Sequence, residues 1–328
     1  MINFATVGTS WITEEFIAAG KTNKEFRLYS VYSRNIEKAE TFAAKHGAEK
    51  YSDNFKKMLA DDKINAVYIA SPNSFHASQA IDAMNAGKHV ICEKPAASNL
   101  RELDKMLECA EKNGVLFMEA FKSLLMPGFK ACKDSIAKAG IIRSVYINFS
   151  KYSSRYDAHK RGENVNTFKA EFSNGAVMDL GVYCLWPTVA LFGMPKDVKA
   201  FGITVPGGVD GAGAALLLYD TFTVTLNYSK VSNSFIPSEI QGEDATVCVD
   251  KFNIPEKVTI RYRNGTTEPV LFSQRQDSMC YETDEFISCI KAGKKESETN
   301  THQMSRNIMI LLDEIRKQTG IVFPADSM

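Results

Sequence analysis

The first 120 residues alternate short, uninterrupted apolar runs with segments of helical periodicity, and this alternation constrains the fold most strongly. Such runs are typical of strands buried on both faces, which need no polar alternation. The helical segments between them predict crossover connections joining parallel neighbours. Strands are predicted near residues 4–7, 28–32, 50–51, 66–70, 89–92 and 115–118. We therefore expect an α/β unit, a doubly wound parallel sheet over residues 1–120.

Beyond residue 121 the pattern changes to period-2 alternation. Residues 214–219 and 222–228 alternate, and Asp220-Thr221 between them predicts a hairpin. Other strands are predicted at residues 145–149, 238–241, 245–249 and 258–262, and helices at residues 129–137 and around 304–319. We expect an α+β domain over residues 121–328 with a largely antiparallel open sheet. Its uncovered face suggests a homodimer or homotetramer.

Composition narrows the functional classes. The sequence has 39 Lys plus Arg and 39 Asp plus Glu, a formal net charge of zero, which argues against a nucleic-acid-binding or membrane-surface protein. No apolar run approaches the roughly 18 residues of a spanning helix, and the N-terminus does not resemble a secretion signal. Seven scattered cysteines fit reduced thiols better than disulfides or a zinc site. We expect a cytoplasmic protein with no metal site.

A nucleotide-binding turn is predicted where the first strand ends, because doubly wound sheets bind ligands outside the carboxyl ends of their strands. The segment there is Gly8-Thr9-Ser10-Trp11-Ile12-Thr13, which occupies the place of G-x-G-x-x-G but keeps only the first glycine. Ser10 is small enough to let backbone amides approach a pyrophosphate, whereas Thr13 implies looser packing of helix on strand. An ordinary βα turn is the alternative, but the strand–turn–helix context favours nucleotide binding.

The end of the second strand favours NADP over NAD. An NAD-preferring site carries an acidic residue about 20 residues past the glycine turn, where it accepts from the ribose 2′-hydroxyl. This strand instead ends in Tyr32-Ser33-Arg34, with Lys38 one turn on. A hydroxyl and a guanidinium suit a 2′-phosphate, although a solvated loop arginine is the alternative. We expect NADP as the cofactor, with NAD possible.

Two further strand ends carry polar residues. The fourth strand is followed by Ser71-Pro72-Asn73-Ser74-Phe75-His76. Asn73 is placed to hydrogen-bond a ribose or amide group and His76 to lie near the cofactor, with helix capping as the alternative. The fifth strand ends in Glu93-Lys94-Pro95. Charges at the end of a buried strand are costly unless they pair or face a wet cleft, so a functional cleft is expected here.

These motifs, together with Asp179-Leu180-Gly181-Val182-Tyr183, resemble those of the Gfo/Idh/MocA oxidoreductases. The resemblance runs in order along essentially the whole chain, and Glu-Lys-Pro joined with Asp-x-Gly-x-Tyr is a specific combination. It is nearest to the branch holding dimeric dihydrodiol dehydrogenase and NADP-dependent xylose dehydrogenase. The resemblance implies an NAD(P)-dependent oxidoreductase that moves a hydride to or from a sugar, polyol or cyclic diol.

The resemblance also implies roles for individual residues. Lys94 would lie at the nicotinamide and the substrate hydroxyl, and Glu93 would help to anchor the nicotinamide ribose. Asp179 and Tyr183 are four residues apart, hence on one helix face, and would point at the same place. Because a nearby ammonium lowers the pKa of a tyrosine from its usual value of about 10, Lys94 and Tyr183 would handle the proton while Asp179 orients the substrate.

Two departures from the family pattern leave the substrate open. Leu124 stands where near relatives carry an arginine, and Asn174-Gly175 stands in place of a glycine pair. Further candidates for lining the pocket are Lys122, Arg155, Tyr156 and His159. Two other functions remain open: a non-catalytic dinucleotide-sensing regulator, and a reductase of a non-sugar substrate. The presence of both Lys94 and Tyr183 favours an enzyme over a regulator.

Overall fold

The computed structural model describes residues 1–327, which form two compact units. The first unit consists of Met1–Lys122 and Arg275–Ser305, and the second of Ser123–Gln274 and the chain from Arg306 onward. Residues 275–305 lie within the range predicted as the second domain, yet they belong to the first unit.

The first unit is built on a six-stranded sheet in which every pair of neighbouring strands is parallel. Its strands, in chain order, are β1 (Ile2–Val7), β2 (Phe26–Tyr32), β3 (Lys50–Ser52), β4 (Ala66–Ile69), β5 (His89–Glu93) and β6 (Phe117–Ala120). The helices between them are α1 (Trp11–Lys21), α2 (Ile36–His46), α3 (Phe55–Leu59), α4 (His76–Asn85) and α5 (Leu100–Asn113). The predicted doubly wound parallel sheet is confirmed.

The strand order β3-β2-β1-β4-β5-β6 reverses direction between β1 and β4. Ligands of doubly wound sheets bind at such a reversal, outside the carboxyl ends of the strands. All four residues of β4 are buried, as the continuous apolar run predicted. The fold therefore places a ligand-binding edge at the carboxyl ends of β1 and β4.

The second unit contains an eight-stranded sheet in the order β14-β13-β12-β11-β7-β10-β9-β8. Its strands are β7 (Ile142–Ser150), β8 (Asp197–Val205), β9 (Val209–Leu218), β10 (Thr223–Ser229), β11 (Ser238–Gly242), β12 (Ala245–Val249), β13 (Val258–Tyr262) and β14 (Thr267–Val270). The central pair β7 and β10 is parallel and the other pairs are antiparallel. The expected largely antiparallel sheet and its hairpin of β9 and β10 are confirmed.

The remaining helices of the chain are α6 (Pro127–Ser135), α7 (Tyr156–Lys160), α8 (Val182–Phe192), α9 (Cys280–Lys291) and α10 (His302–Thr319). Helix α9 joins the first unit because its apolar face packs against β1 and α1. The buried ring of Phe286 lies 6.0 Å from that of Phe4, and Asn23 donates a hydrogen bond to Asp284 at 2.7 Å. These contacts make residues 275–305 part of the first unit's core.

One helical stretch, Ala170–Phe192, has the length and hydropathy of a membrane-crossing segment. However, 72% of its most apolar window is buried inside the protein. That degree of burial is typical of a core helix, whose apolar side chains pack against the rest of its own unit.

The edge strand β8 and its neighbour β9 expose one apolar sheet face. Phe201 and Ile203 of β8 are 82% and 68% exposed, and Leu216 and Leu218 of β9 are each 46% exposed. The register pairs Phe201 with Ala214 and Lys199 with Leu216, so these side chains lie on the same face. We call these four exposed residues the open sheet face.

Candidate active site

The turn after β1 brings three strands together at the ligand-binding edge. Gly8 has a φ of 104°, and a Cβ on it would lie 2.7 Å from the Ala70 carbonyl oxygen. Its amide donates to the Tyr32 carbonyl at 3.2 Å. Only glycine allows this backbone to come so close to the end of β4. The first glycine of the motif is therefore required by the fold.

The start of α1 offers backbone donors beside this turn. The first N–H groups of a helix have no partner within the helix, and the helix dipole adds partial positive charge there. Ser10 precedes the helix with extended backbone, and its side chain makes no capping hydrogen bond. Ser10 and Trp11 are both exposed. This arrangement suits an anionic ligand such as a pyrophosphate.

The end of β2 carries an exposed guanidinium rather than a carboxylate. The Arg34 guanidinium carbon lies 5.6 Å from the centre of the Phe75 ring, which follows β4. Within residues 1–327, Arg34 has no carboxylate at ion-pair distance. The Ser33 hydroxyl accepts from the Asn35 amide at 3.3 Å, and Lys38 is exposed in the first turn of α2. The groups at this strand end therefore suit an anion.

His76 braces the turns that follow β4 and β5. Its buried ring has Nδ1 at 2.9 Å from the Pro95 carbonyl and Nε2 at 2.8 Å from the Ser71 carbonyl. Burial lowers the pKa of His76 below its usual range. A direct bond from either ring nitrogen to a cofactor would have to replace one of these contacts. The geometry gives His76 a supporting position beneath the turn that carries Lys94.

The end of β5 holds Glu93 and Lys94 in a partly buried environment. The Tyr68 hydroxyl donates to Glu93 Oε1 at 2.7 Å, and the Lys94 amide donates to Glu93 Oε2 at 3.3 Å. The peptide bond between Lys94 and Pro95 is cis. Glu93 is thus fixed through both oxygens.

Three carboxyl groups surround this strand end. Burial raises the pKa of Glu119 to about 7, although hydrogen bonds from Ser305 and the Ala96 amide act to lower it. Burial, reinforced by the charge of Glu93, raises the pKa of Glu282 to about 8. Burial also raises the pKa of Glu93, and the Lys94 ammonium opposes that rise. The Lys94 charge therefore lies near three carboxyl groups. The sequence motif contains only Glu93, because Glu282 is on the distant helix α9.

In the second unit, Asp179 and Tyr183 lie on one continuous helix. Asp179 is in a π-helical turn, Val177–Gly181, that leads directly into α8, where Tyr183 is in the first turn. The Tyr183 ring packs edge-on against Phe149 of β7 at 5.4 Å. The glycine between them is explained by packing, because a Cβ on Gly181 would lie 3.2 Å from the ring of Tyr228.

A buried carboxylate caps this helix. Asp210 accepts from the Ala176 and Val177 amides at 2.9 and 2.8 Å. Gly175 has a φ of 139°, and a Cβ on it would lie 2.2 Å from Asp210 Oδ1. The Asn174-Gly175 pair noticed in the sequence therefore makes room for the cap that positions the helix.

One residue that pairs with the predicted site residue Asp179 was not predicted from the sequence. Lys230, directly after β10, places Nζ 2.9 Å from Asp179 Oδ2, and its side chain is 3% exposed. No motif points to this lysine, because it is 51 residues from Asp179 in the sequence. The proximity of Lys230 to Asp179 becomes visible only when the position of β10 in the sheet is known.

Comparison with known proteins decides the family. Residues 2–121 match the model of the oxidoreductase family with an NAD-binding Rossmann fold, GFO_IDH_MocA, and residues 133–248 match the GFO/IDH/MocA C-terminal domain. The chain belongs to the GFO/IDH/MocA oxidoreductase family. The predicted family and the prediction of an enzyme are thereby confirmed.

Relatives of this family match the full length of the chain. Scyllo-inositol 2-dehydrogenase (NADP(+)) IolU of Bacillus subtilis (strain 168) is 48% identical over 326 residues, covering 99% of each chain. Trans-1,2-dihydrobenzene-1,2-diol dehydrogenase of Sus scrofa is 27% identical, covering 92% of this chain and 91% of its own. Among solved structures, KijD10, a 3-ketoreductase from Actinomadura kijaniata in complex with NADP and TDP-benzene, matches with a TM-score of 0.85 and 21% identity, covering 97% and 98% of the two chains.

The structure groups the predicted site residues by unit. The expected cofactor residues follow β1, β2, β4 and β5, whose carboxyl ends share one edge of the first sheet. They are Gly8, Thr9, Ser10, Trp11, Ile12, Ser33, Arg34, Lys38, Ser71, Pro72, Asn73, His76, Glu93 and Lys94. Asp179 and Tyr183 belong to the second unit. The roles of all these residues stay predictions.

The buried carboxyl cluster of Glu93, Glu119 and Glu282 predicts a pH-dependent stability. Glu282 keeps its proton to about pH 8 in the folded protein, whereas an unfolded glutamate loses it near its ordinary pKa of 4.5. Between these values the folded state binds more protons, so the free energy of unfolding falls as pH rises. Glu282→Gln removes this slope. We expect thermal unfolding near the wild-type temperature at pH 5 and at a higher temperature than wild type at pH 9.

Glu298→Gln is the matched control, because Glu298 is exposed and paired with Lys294. It should not raise the unfolding temperature at pH 9. An equal pH response of Glu282→Gln and wild type would show that Glu282 is ionised in the folded protein.

Proposed function

We propose that this protein is an NADP-dependent dehydrogenase of a cyclic polyol, with an inositol as its substrate. The observation that carries the proposal is the 48% identity to a scyllo-inositol 2-dehydrogenase (NADP(+)) across 99% of both chains. The site residues support the same chemistry, since they include a lysine, a tyrosine and a carboxylate suited to a hydroxyl substrate. The seven cysteines are free thiols, which supports a reducing, cytoplasmic location.

The residues at the edge of the first sheet fit a dinucleotide. The turn at Gly8 and the first amides of α1 would hold the pyrophosphate, and Ser33 and Arg34, with Lys38, would hold a 2′-phosphate. Glu93, fixed by Tyr68 and by the Lys94 amide, would accept from the nicotinamide ribose. The bound nicotinamide supplies the hydride acceptor or donor.

The chain's own residues would manage the substrate hydroxyl. Lys94 would donate to the reacting oxygen and favour its alkoxide character, and Tyr183 would take the hydroxyl proton during oxidation and return it during reduction. Asp179 would accept from a neighbouring hydroxyl and fix which carbon reacts. Helix capping by Asp210 would keep Asp179 and Tyr183 in fixed register.

Cofactor selectivity gives the first test. Charge-assisted hydrogen bonds contribute about 1.5–3 kcal/mol each, so Ser33 and Arg34 predict an NADPH preference of about 10- to 100-fold or more. Arg34→Ala should weaken NADPH binding by about this factor and leave NADH binding unchanged in fluorescence titrations. Arg27→Ala is the control, since Arg27 is on the same strand and pairs with Glu49. Equal wild-type affinities for the two cofactors would refute the NADP assignment.

Steady-state turnover tests the catalytic residues. The wild type should reduce NADP⁺ with scyllo-inositol in preference to aldoses and dihydrodiols. Lys94→Met should bind NADPH normally while kcat falls by about 10²- to 10⁴-fold, the range for a positioned acid–base group. Tyr183→Phe should lose a comparable factor. The double variant should lose much less than the product, because the two residues act as a unit.

Lys88→Met is the matched control for this series, because Lys88 precedes the same strand and donates to the Asp61 carbonyl at 3.0 Å. It should keep the wild-type kcat. Full activity of Lys94→Met would exclude the lysine from the chemistry. NADPH binding without turnover of any polyol, diol or aldose would favour the sensing regulator or the reductase of a non-sugar substrate.

The open sheet face supports a homo-oligomer. Exposed apolar faces of this kind mark interaction sites, and a second copy can cover such a face through a two-fold interface. Sedimentation at micromolar concentration should give a species larger than the 36.4 kDa chain, and Phe201→Glu should shift it toward the monomer. Leu271→Glu, at an exposed position beyond β14, should not. A monomer alone in the wild type would contradict this proposal.

A further inference from the structure

Lys230 is a buried cation that neither the sequence motifs nor the family match explains. The residue follows β10 directly and is 2% exposed. Lysine is almost never fully buried unless it is paired. The cost of removing its charge from water must therefore be offset by partners in the second unit.

Several contacts hold the Lys230 side chain in one position. Its backbone amide donates to the Gly211 carbonyl of β9 at 2.8 Å, which fixes the base of the side chain. Nζ donates to the Thr167 carbonyl at 3.2 Å and lies 5.2 Å from the centre of the Phe168 ring. The ammonium therefore stands at a defined point rather than sampling solvent.

The acidic partner of this ammonium is Asp179. Nζ is 2.9 Å from Asp179 Oδ2. Burial raises the pKa of Asp210 and the Lys230 charge opposes that rise, but Asp210 directs its oxygens at the Ala176 and Val177 amides. The Asp179 side chain is 37% exposed. The pair thus has a buried cationic end and an anionic end that solvent reaches.

We propose that Lys230 is a positioning residue that holds the Asp179 carboxylate in one orientation for the substrate hydroxyl. This inference rests on the proposed function of Asp179. An ionised carboxylate accepts hydrogen bonds at about four lone-pair positions, so a bond from Lys230 to Oδ2 leaves acceptor capacity for a substrate.

The asymmetry of burial makes the pair separable by mutation. Lys230→Met keeps the length of the side chain and its contact with Phe168, and the half-exposed carboxylate left behind can be hydrated. Removing one member of an ion pair is strongly destabilising when the charge left behind is buried, but here the charge left behind is Asp179, whose side chain is 37% exposed. Asp179→Ala, in contrast, leaves a buried ammonium without its counter-ion. It should lower the thermal unfolding temperature, and the same change in a Lys230→Met background should lower it much less.

Kinetics with scyllo-inositol and NADP⁺ test the positioning role. Lys230→Met should lower kcat/KM by about 10- to 100-fold, the effect of a misplaced catalytic group, while the Kd for NADPH is unchanged. Lys230→Arg retains a cation and should recover most of the loss. In an Asp179→Asn background, Lys230→Met should cause little further loss. Lys251→Met is the control, since Lys251 pairs with Glu256 at an exposed position of the same unit, and it should match wild type.

The outcomes separate this inference from the proposed function. Wild-type kcat/KM in Asp179→Asn would refute the role of Asp179 itself. Impaired Asp179→Asn with an unimpaired Lys230→Met would refute only the role of Lys230. An equal loss from Lys230→Met in both backgrounds, or no recovery in Lys230→Arg, would show that Lys230 acts on the fold and not through Asp179. If Lys230→Met does not bind NADPH, Lys230→Gln is judged by the same criteria.

Discussion

The interaction on which the candidate chemistry depends is the placement of the Lys94 ammonium among partly and fully buried carboxyl groups at the end of β5. A cation at the end of a buried strand would be costly alone. The Lys94 charge opposes the rise in the pKa of Glu93 that burial causes, whereas burial raises the pKa of Glu119 to about 7 and that of Glu282 to about 8. The strand end is then supported by Tyr68 on one side and by the His76 brace on the other. The backbone that carries Lys94 is therefore held by contacts from several elements.

In the second unit, buried charged residues again support predicted site residues, but they act on a helix rather than on a strand end. Asp210 accepts hydrogen bonds from the first amides of the helix that carries Asp179 and Tyr183. Lys230 pairs with Asp179 itself. Gly175 and Gly181 have no side chain because Asp210 and Tyr228 occupy the space that a Cβ would need. The two glycines of this segment are thus explained by close packing against Asp210 and Tyr228.

Sequence patterns predicted the first unit well because its strands are continuous apolar runs separated by helices with clear ends. They predicted the second unit less completely. Strand β8 was missed because the exposed, apolar Phe201 and the glycine after it break its alternation. Helix α8 is apolar on all sides and contains Pro187, so it was expected only around Asp179 and Tyr183, from the family resemblance. The place of α9 in the first unit could not be predicted, since a contact such as that of Phe4 with Phe286 joins residues far apart in the sequence.

The residues of the candidate site likewise fall into those that the sequence predicted and those that only the structure shows. Gly8 and Lys94 follow from local motifs, and Asp179 and Tyr183 from helical spacing and family resemblance. Glu282 and Lys230 carry no local signal, because each is a charged residue whose partner is reached only through tertiary structure. Buried charges that support motif residues from distant elements are therefore the part of a site that a single sequence does not reveal.

We propose that the residues of the candidate site serve hydride transfer between a polyol carbon and a nicotinamide. A decisive test is to incubate the enzyme with NADP⁺ and a polyol deuterated at its carbinol carbons, and to analyse the isolated cofactor by mass spectrometry. We expect reduced cofactor that carries one deuterium for each turnover. Reduced cofactor without deuterium, or no reduced cofactor with any polyol despite tight NADPH binding, would contradict it.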